Sequence, residues 1–215
     1  MTDQVNQPKT LDENTEFECK YRVEPHVLVD FKKIVEGLQQ ELQNFLYVEG
    51  PDFYYSHPDY DESSFGRYRR PSFGLDGGRA EWTVKFKPKG AKNNQKRLEI
   101  NWRVDKTSEA DIKRGVELMG FKPNFTITKN CHIYKFEDAT LVFYTVYDIT
   151  EGSRSTKVDH FVEIEVSEEK INKEGLTEEQ AWAIISKYEK ILEPIGISPQ
   201  KRLRKSLYEM YKRDK

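Results

Sequence analysis

The sequence predicts an α+β fold in which a closed, eight-stranded antiparallel β-barrel carries amphipathic helices on its outer surface. Three observations lead to this prediction. About eight segments alternate as strands do, and eight strands can close into a barrel whose interior is filled or holds one ligand. Several of these strands carry their charged side chains on one side only. Segments with helical spacing of apolar residues lie before, between and after the strands.

The N-terminal elements are a polar leader, a strand and a helix. Residues 1–14 contain few apolar side chains, so we expect a flexible leader there and a single domain over residues 15–215. Thr15 to Val23 alternates between charged and apolar residues, which predicts a strand. From Pro25 to Leu46 the apolar residues recur at helical spacing, and proline suits a first helical turn. This pattern predicts one long amphipathic helix.

The rest of the chain is expected to form strands, a short helix between them and two helices at the end. The strand-like runs are residues 52–56, 65–70, 79–88, 96–104, 125–136, 140–149 and 159–166. Ser108 and Asp111 form a helix-start signal, and Gly120 stands where that helix would end. The capping-box sequence from Thr177 to Gln180 predicts another helix, and Pro199 predicts the start of a last, basic helix.

Composition argues against several classes of protein. Charged residues make up 33% of the chain but the net charge is −2, so the chain lacks the broad positive field of a duplex DNA binder. No apolar run approaches the roughly 18 residues needed to span a bilayer, and the polar start has no signal-peptide core. Cys19 and Cys131 lack metal-ligand spacing and fit a reducing compartment. We therefore expect a cytoplasmic protein whose partner is neither a membrane nor duplex DNA.

Five predicted strands share a charged face. Its charged residues are Glu16, Glu18 and Lys20; Arg67 and Arg69; Lys85 and Lys87; Arg97, Glu99 and Arg103; and Glu163 and Glu165. Such a face is either the solvated outside of a sheet that packs its apolar side on a core, or the polar interior of a barrel. The amphipathic helices favour the interior, because they would cover an apolar outer wall.

A barrel interior that holds both acids and bases suits a particular kind of ligand. The Glu16 and Glu18 pair and the Glu163 and Glu165 pair stand at opposite ends of the chain, and they could meet across a closed barrel. Clustered carboxylates are ligands for Mg²⁺ or Mn²⁺, while guanidinium and ammonium groups bind phosphoryl oxygens. The pattern therefore indicates a polyphosphate site with a divalent cation.

The Glu16-x-Glu18-x-Lys20 motif resembles the N-terminal signature of the CYTH, or triphosphate tunnel metalloenzyme, superfamily, and elements in matching order extend the resemblance to Tyr211. The resemblance implies catalysis by Glu18 and Lys20, with Lys20 orienting or activating the attacking water. It implies metal ligation by Glu16, Glu18, Asp148, Glu163 and Glu165. It implies triphosphate binding by Arg67, Arg69, Lys85, Lys87, Arg97, Arg103, Lys129, Arg204 and Lys205. A C-terminal helix is expected to plug one mouth of the tunnel.

The resemblance also implies an activity. A metal-dependent triphosphatase would hydrolyse a phosphoanhydride of inorganic triphosphate, a nucleotide or an RNA 5′ end, as a monomer or homodimer. One alternative is a class IV adenylyl cyclase, which makes cyclic AMP and pyrophosphate from ATP. Another is a non-catalytic module that binds a nucleotide or polyphosphate. Two departures bear on this choice, since a site can change on an unchanged fold. Cys131 stands where the family has an arginine, and residues 151–158 resemble an insertion before the last acidic strand.

Overall fold

A computed structural model describes residues 14–70, 73–74, 80–87, 95–150 and 153–212, so the predicted leader, apart from Asn14, lies outside the described residues. The strands are β1 (Thr15–Val23), β2 (Asn44–Ser56), β3 (Phe65–Arg69), β4 (Phe73–Gly74), β5 (Glu81–Phe86), β6 (Lys96–Arg103), β7 (Lys122–Lys135), β8 (Ala139–Thr150) and β9 (Ser153–Val166). The α-helices are α1 (Val27–Glu36), α2 (Glu109–Leu118), α3 (Glu168–Glu174), α4 (Glu178–Leu192) and α5 (Leu207–Tyr211). No helix in this described part is long and apolar enough to cross a bilayer.

The strands form one antiparallel barrel. Hydrogen-bonded neighbours follow the order β3, β5, β6, β1, β9, β8, β7 and β2, and the pairing of β2 with β3 closes this ring of eight strands. The short strand β4 pairs with β2 alongside the ring. The predicted closed, eight-stranded barrel is confirmed. Closure gives the residues of one parity a shared interior, whichever part of the chain they come from.

Alternation along β1 decides which face lies under the helices. Phe17, Cys19 and Tyr21 are buried in a cluster with residues of α1 and α4. Phe17 meets Trp182 of α4 edge to face, with the ring centroids 4.9 Å apart. Burial of each large apolar side chain stabilises the fold by roughly 1.5–3 kcal/mol. The charged parity therefore faces the barrel interior, and the alternative of a solvated charged exterior is wrong.

The first helix is shorter than the sequence predicts. Helix α1 ends at Glu36, and residues 44–56 form β2, which pairs with β7 along its whole length. Phe45 fits the helical spacing in the sequence, but in β2 its ring lies beside the rings of His132 and Tyr134 of β7. Apolar residues spaced for a helix can also satisfy a strand, and here the long-range pairing with β7 decides between the two.

The predicted C-terminal helix is broken into two short pieces. A 3₁₀ turn covers Pro199–Lys201, and α5 begins only after Ser206, which forms a capping box with Glu209. Tyr208 of α5 stacks on Phe65 of β3 with the ring centroids 4.8 Å apart. These rings belong to a buried aromatic cluster inside the barrel. Helix α5 thus packs into one end of the barrel.

Two further elements differ from the prediction. Helix α3 lies where no helix is expected, and Ser167 caps it by accepting a hydrogen bond from the backbone N–H of Lys170. The apparent insertion at residues 151–158 lengthens the hairpin of β8 and β9, in which Thr150 pairs with Ser153. Both differences lie at the ends of strands. Element boundaries are the part of a fold that local sequence patterns predict least well.

Candidate functional site

The barrel encloses a cavity of about 480 Å³, within the range of roughly 300–1,000 Å³ that is typical of ligand pockets. The sequence-predicted site residues that line it are Glu16, Glu18, Lys20, Arg67, Arg69, Lys85, Arg97, Lys129, Glu163 and Glu165. They come from β1, β3, β5, β6, β7 and β9. Closure of the barrel therefore brings together residues that are up to about 150 positions apart in the sequence.

The register of the strands places acids beside bases. In the pair of β1 and β9, Glu18 lies opposite Glu165 and Lys20 lies opposite Glu163. In the pair of β1 and β6, Glu16 lies opposite Arg97. Residues of one parity follow each other about every 7 Å along a strand, so these side chains form a continuous charged wall.

Lys20 is buried between two carboxylates. Its Nζ lies 3.2 Å from Oε1 of Glu18 and also contacts Glu163. The hydroxyl of Tyr144 donates a hydrogen bond to Oε1 of Glu163 at 3.2 Å. Burial alone would lower the pKa of Lys20, but Glu163 and Glu18 outweigh it and raise that pKa. Lys20 is therefore an ammonium group that donates hydrogen bonds to its two carboxylate neighbours.

Lys85 of β5 and Arg97 of β6 also have carboxylate partners. Lys85 contacts Glu16, and its Nζ lies 2.7 Å from Oε2 of Glu99. Nη2 of Arg97 lies 2.5 Å from Oε1 of Glu18. Burial removes these groups from water, so each charge depends on its neighbours for compensation. A ligand that entered this wall would have to replace at least one such partner.

Three buried polar atoms here make no hydrogen bond to the described residues: Nε of Arg67, Nε of Arg97 and Oε2 of Glu16. The last two lie 3.6 Å apart as an ion pair. Arg67 donates from Nη2 to Oγ1 of Thr83 at 3.2 Å, and its Nη2 lies 3.5 Å from the nearest oxygen of Glu81. An unpaired buried polar group costs about 1–3 kcal/mol, so such atoms point to a missing partner. Guanidinium donors require an anion, and a carboxylate oxygen requires a cation or a proton.

The carboxylates of the cavity fit a hard divalent cation. Burial, together with Glu16, Glu18 and Glu99, raises the pKa of Glu165 well above its ordinary value. Burial, Glu18 and Glu99 also raise the pKa of Glu16 to about 8, although Lys85 opposes this. Full ionisation of this cluster therefore needs further positive charge, and carboxylate oxygens are preferred ligands of Mg²⁺. Within the described ranges, no three ligating side chains are already gathered for a metal, so side chains would have to shift to hold one.

Two acidic side chains near the cavity, Asp52 and Glu81, have no role in the sequence-based prediction, and Glu99 is predicted on the charged face but is given no ligand. Asp52 of β2 lies opposite Arg69 of β3 and is 1% exposed. Glu81 and Glu99 line the wall between the bases. Asp52 stands at the beginning of a strand predicted over residues 52–56, so its deep burial is not foreseen. Tyr54, two residues further along β2, lines the cavity, and this alternation is the signal that could have assigned Asp52 to the interior side of the strand.

Four predicted phosphate-binding residues do not line the cavity. Lys87 is partly exposed just after β5, and Arg103 is exposed at the end of β6, opposite Glu81. Arg204 and Lys205 are exposed just before α5. The correct parity does not place a side chain inside, because a strand can run past the enclosed part of a barrel. A role for these four residues in substrate binding stays a prediction.

Asp148 is separated from the other predicted metal ligands along the barrel. In the pair of β8 and β9, Val142 lies opposite Glu163. Asp148 is six residues further along β8, which corresponds to about 20 Å at the usual rise of a strand. Its side chain lies outside the described residues. The backbone register therefore does not bring Asp148 to the acidic cluster.

Comparison with known proteins finds similarity in structure. No family model matches the chain, and no curated protein matches it. A conserved hypothetical protein from Pyrococcus furiosus has a TM-score of 0.64 at 22% identity, over 90% of this chain and 98% of that chain. A chain of the Schizosaccharomyces pombe Mediator head module has a TM-score of 0.59 at 13% identity, over 84% and 95%. A Vibrio parahaemolyticus protein described as a "putative adenylate cyclase" has a TM-score of 0.56 at 18% identity, over 93% and 98%.

These likenesses concern the fold. At identities of 22%, 13% and 18%, a shared barrel does not transfer an activity from one chain to another. The chain shares its antiparallel barrel fold with these three structures, one of them described as a "putative adenylate cyclase", and this fold agrees with the resemblance of its Glu16-x-Glu18-x-Lys20 motif to the CYTH superfamily.

Proposed function

We propose that the barrel cavity binds a triphosphate together with a divalent cation, and that the protein hydrolyses a phosphoanhydride bond of this triphosphate. The observation that supports the proposal is the group of buried atoms in this part of the cavity that make no hydrogen bond to the described residues. The Nε atoms of Arg67 and Arg97 can donate to an anion, and Oε2 of Glu16, now 3.6 Å from Nε of Arg97, can bind a cation. A metal-bound polyphosphate offers both kinds of partner at once.

Arg67, Lys85 and Arg97 would hold the phosphoryl oxygens. All three are buried, so their hydrogen bonds to charged oxygens are strong and poorly screened by salt. Lys85 and Arg97 now form ion pairs with Glu16 and Glu18. They can bind phosphate instead when the divalent cation compensates the charge of those carboxylates. We therefore expect triphosphate and divalent cation to bind cooperatively.

Glu16, Glu18, Glu163 and Glu165 would hold Mg²⁺ or Mn²⁺, because their oxygens line one side of the cavity. When bound, the ion would offset phosphoryl charge and polarise the phosphoryl oxygens. The carboxylates would supply the negative charge that holds the ion beside the phosphates. Asp148 is not part of the proposal, because of its distance along β8.

Lys20 and Glu18 would orient the attacking water. Burial alone would raise the pKa of Glu18, but Lys20 and Arg97 outweigh it and hold that pKa well below its usual value. Glu18 can thus accept a hydrogen bond from water while the Lys20 ammonium donates one. The water oxygen attacks the terminal phosphorus, and the bond to the bridging oxygen breaks with its electron pair on the departing diphosphate group. The proton of the water passes to solvent.

A class IV-type adenylyl cyclase is the second candidate, and the likeness to the Vibrio parahaemolyticus structure favours it. In that reaction the ribose 3′-hydroxyl of ATP attacks the α-phosphorus, and pyrophosphate leaves. The same basic wall would hold the phosphates, and the same carboxylates would hold the cation. A non-catalytic binding module is the third candidate, since a chain of the Mediator head module has the same fold.

Product analysis tests the proposal and separates the candidates. The protein is incubated with tripolyphosphate, nucleoside triphosphates and RNA with a 5′-triphosphate, with Mg²⁺ or Mn²⁺ and with a chelator. We expect release of orthophosphate that requires the cation and is lost in Glu163→Gln. Pyrophosphate with cyclic AMP would identify the cyclase. Cation-dependent binding without any product would identify the binding module.

A further inference from the structure

Asp52 is buried in the cavity wall between two cations. Both of its oxygens accept hydrogen bonds from Arg69, Oδ1 from Nε at 2.8 Å and Oδ2 from Nη2 at 3.0 Å. Nζ of Lys129 lies 2.9 Å from Oδ2. Burial alone would raise the pKa of Asp52, but Arg69 and Lys129 outweigh it and hold that pKa far below its usual value. An ionised carboxylate therefore already compensates the charges of these two bases, which both line the cavity.

The arginines of the cavity consequently fall into two kinds. The Nε of Arg67 is buried and has no hydrogen-bond partner among the described residues, and the Nε of Arg97 has only the ion-pair contact with Oε2 of Glu16 at 3.6 Å. The Nε of Arg69 is satisfied by Asp52 at 2.8 Å. Arg67 and Arg69 are neighbours of the same parity on β3, so the contrast arises from Asp52 and not from a difference in position on the strand. The Nε donor of Arg67 is thus available to an anion, whereas the Nε donor of Arg69 is already bonded to Asp52.

The surface beside this ion cluster is apolar. Cys131 and Ile133 of β7 lie opposite Tyr144 and Val142 of β8, and all four line the cavity. The ammonium of Lys129 lies 5.2 Å from the centroid of the Tyr144 ring. Removal of this apolar surface from water would favour an uncharged organic group at this place. A phosphate at the same place would lose its hydration without gaining donors.

We propose that Asp52 is a specificity-determining residue. By neutralising Arg69 and Lys129, it confines the phosphate contacts to the wall of Arg67 and Arg97 and leaves the surface of β7 and β8 for an uncharged organic group of the ligand. The preferred ligand is then an organic triphosphate, and bare tripolyphosphate is disfavoured. The inference rests on the proposed function, because it concerns the ligand of the same cavity.

The test compares inorganic tripolyphosphate with ATP by calorimetry in Mg²⁺ at fixed salt. Wild type is expected to bind ATP more tightly. Asp52→Asn releases Arg69 and Lys129, so the affinity for tripolyphosphate should rise about tenfold or more, as charge-assisted hydrogen bonds would give. The affinity for ATP should change less than about threefold, because its uncharged base and ribose occupy that surface. Asp52→Glu keeps the carboxylate and should keep the wild-type preference.

The outcomes separate the inference from the proposed function. If wild type binds neither probe, the proposed function fails and the inference fails with it. If both probes bind but Asp52→Asn changes their affinities equally, or changes neither, the role assigned to Asp52 is overturned while the proposed function stands. Should Asp52→Asn not fold, Asp52→Asn with Lys129→Met restores the net charge of the wall and still releases Arg69. The same shift toward tripolyphosphate is expected there, and its absence overturns the inference.

Discussion

Glu18 of β1 lies directly opposite Glu165 of β9, so two carboxylates occupy one register position inside the barrel. Lys20 and Arg97 form ion pairs with Glu18, whereas no cation is paired with Glu165 among the residues that the structure describes. Burial, with repulsion from Glu16 and from the facing Glu18, raises the pKa of Glu165 well above its ordinary value. Positive charge added beside this pair would relieve the repulsion between the two carboxylates.

Glu165→Gln should therefore have opposite effects on stability and on metal binding. The metal-free protein should become more stable to heat at about pH 8, because a repulsive buried carboxylate is removed. Affinity for Mn²⁺ should fall by about tenfold or more, since a charged ligand is lost. Thermal melting in a chelator and Mn²⁺ titration measure the two effects. Glu163→Gln is the comparison for stability: it should also weaken Mn²⁺ binding, but it should lower metal-free stability because it removes a partner of Lys20. Equal effects of the two variants on metal-free stability would contradict the assignment.

Arg67→Met should weaken triphosphate binding without unfolding the protein. Arg67 is 8% exposed, and its unpaired Nε is available for a phosphoryl oxygen. The loss of one charge-assisted hydrogen bond corresponds to about 1.5–3 kcal/mol, or roughly tenfold to a hundredfold in affinity. Tripolyphosphate titration in Mg²⁺ measures it. Arg114→Met on α2 is the control, since Arg114 is exposed outside the cavity. A similar loss in both variants would indicate a general effect of charge.

The raised pKa of Glu16 leads to a prediction of how stability depends on pH. Burial, Glu18 and Glu99 raise its pKa from 4.5 to about 8. The folded chain then holds the proton more tightly than the unfolded chain. The stabilising contribution is present below pH 4.5 and is lost as pH rises toward 8. Between these values, the free energy of unfolding of metal-free wild type should fall relative to that of Glu16→Gln, which cannot titrate. Urea denaturation in a chelator at several pH values measures the difference, and a constant difference would refute the prediction.

Cys131→Arg should strengthen the binding of tripolyphosphate. Cys131 lines the cavity, as Lys129 does, and an added guanidinium would supply the contact that the family resemblance places here. A charge-assisted hydrogen bond would raise the affinity about tenfold or more. Calorimetry at fixed salt and Mg²⁺ compares the two proteins, with Cys131→Met as the uncharged control of similar length. Weaker binding in a folded Cys131→Arg variant would show that the added charge meets existing positive charge instead of phosphate.

Arg202 anchors the chain that leads into α5. Its Nε and Nη2 lie 2.6 Å from the two oxygens of Glu189, which is 3% exposed on α4, and the backbone N–H of Leu203 donates to the carbonyl of Lys20 at 2.8 Å. Arg202→Met leaves a buried carboxylate without its cation, which should cost about 3 kcal/mol of folding free energy. Urea denaturation measures this loss, and hydrogen exchange should increase over residues 203–212. Glu189→Gln added to Arg202→Met should recover part of the loss, and no recovery would argue against the ion pair as the anchor.

Local patterns were enough to predict the barrel and most of its interior. The strand from Thr15 to Val23 and the capping box at Thr177 agree with the structure, because alternation and capping depend on residues that are close in the chain. The same alternation placed Glu16, Glu18 and Lys20 on the inner face, where they line the cavity. A two-residue period assigns a face once the strand is known.

Pairing between strands that are far apart in the sequence determined the features that the local patterns did not predict. Phe45 belongs to β2 and not to a helix because β7 offers a hydrogen-bonded partner along the whole strand. Asp52 neutralises Arg69 and Lys129, which come from two different strands, so its role exists only in the closed barrel. Arg103 has the correct parity but lies at an exposed strand end. Parity is a local property of the backbone, whereas depth in the barrel and the choice of ion partner depend on register between segments far apart in the chain.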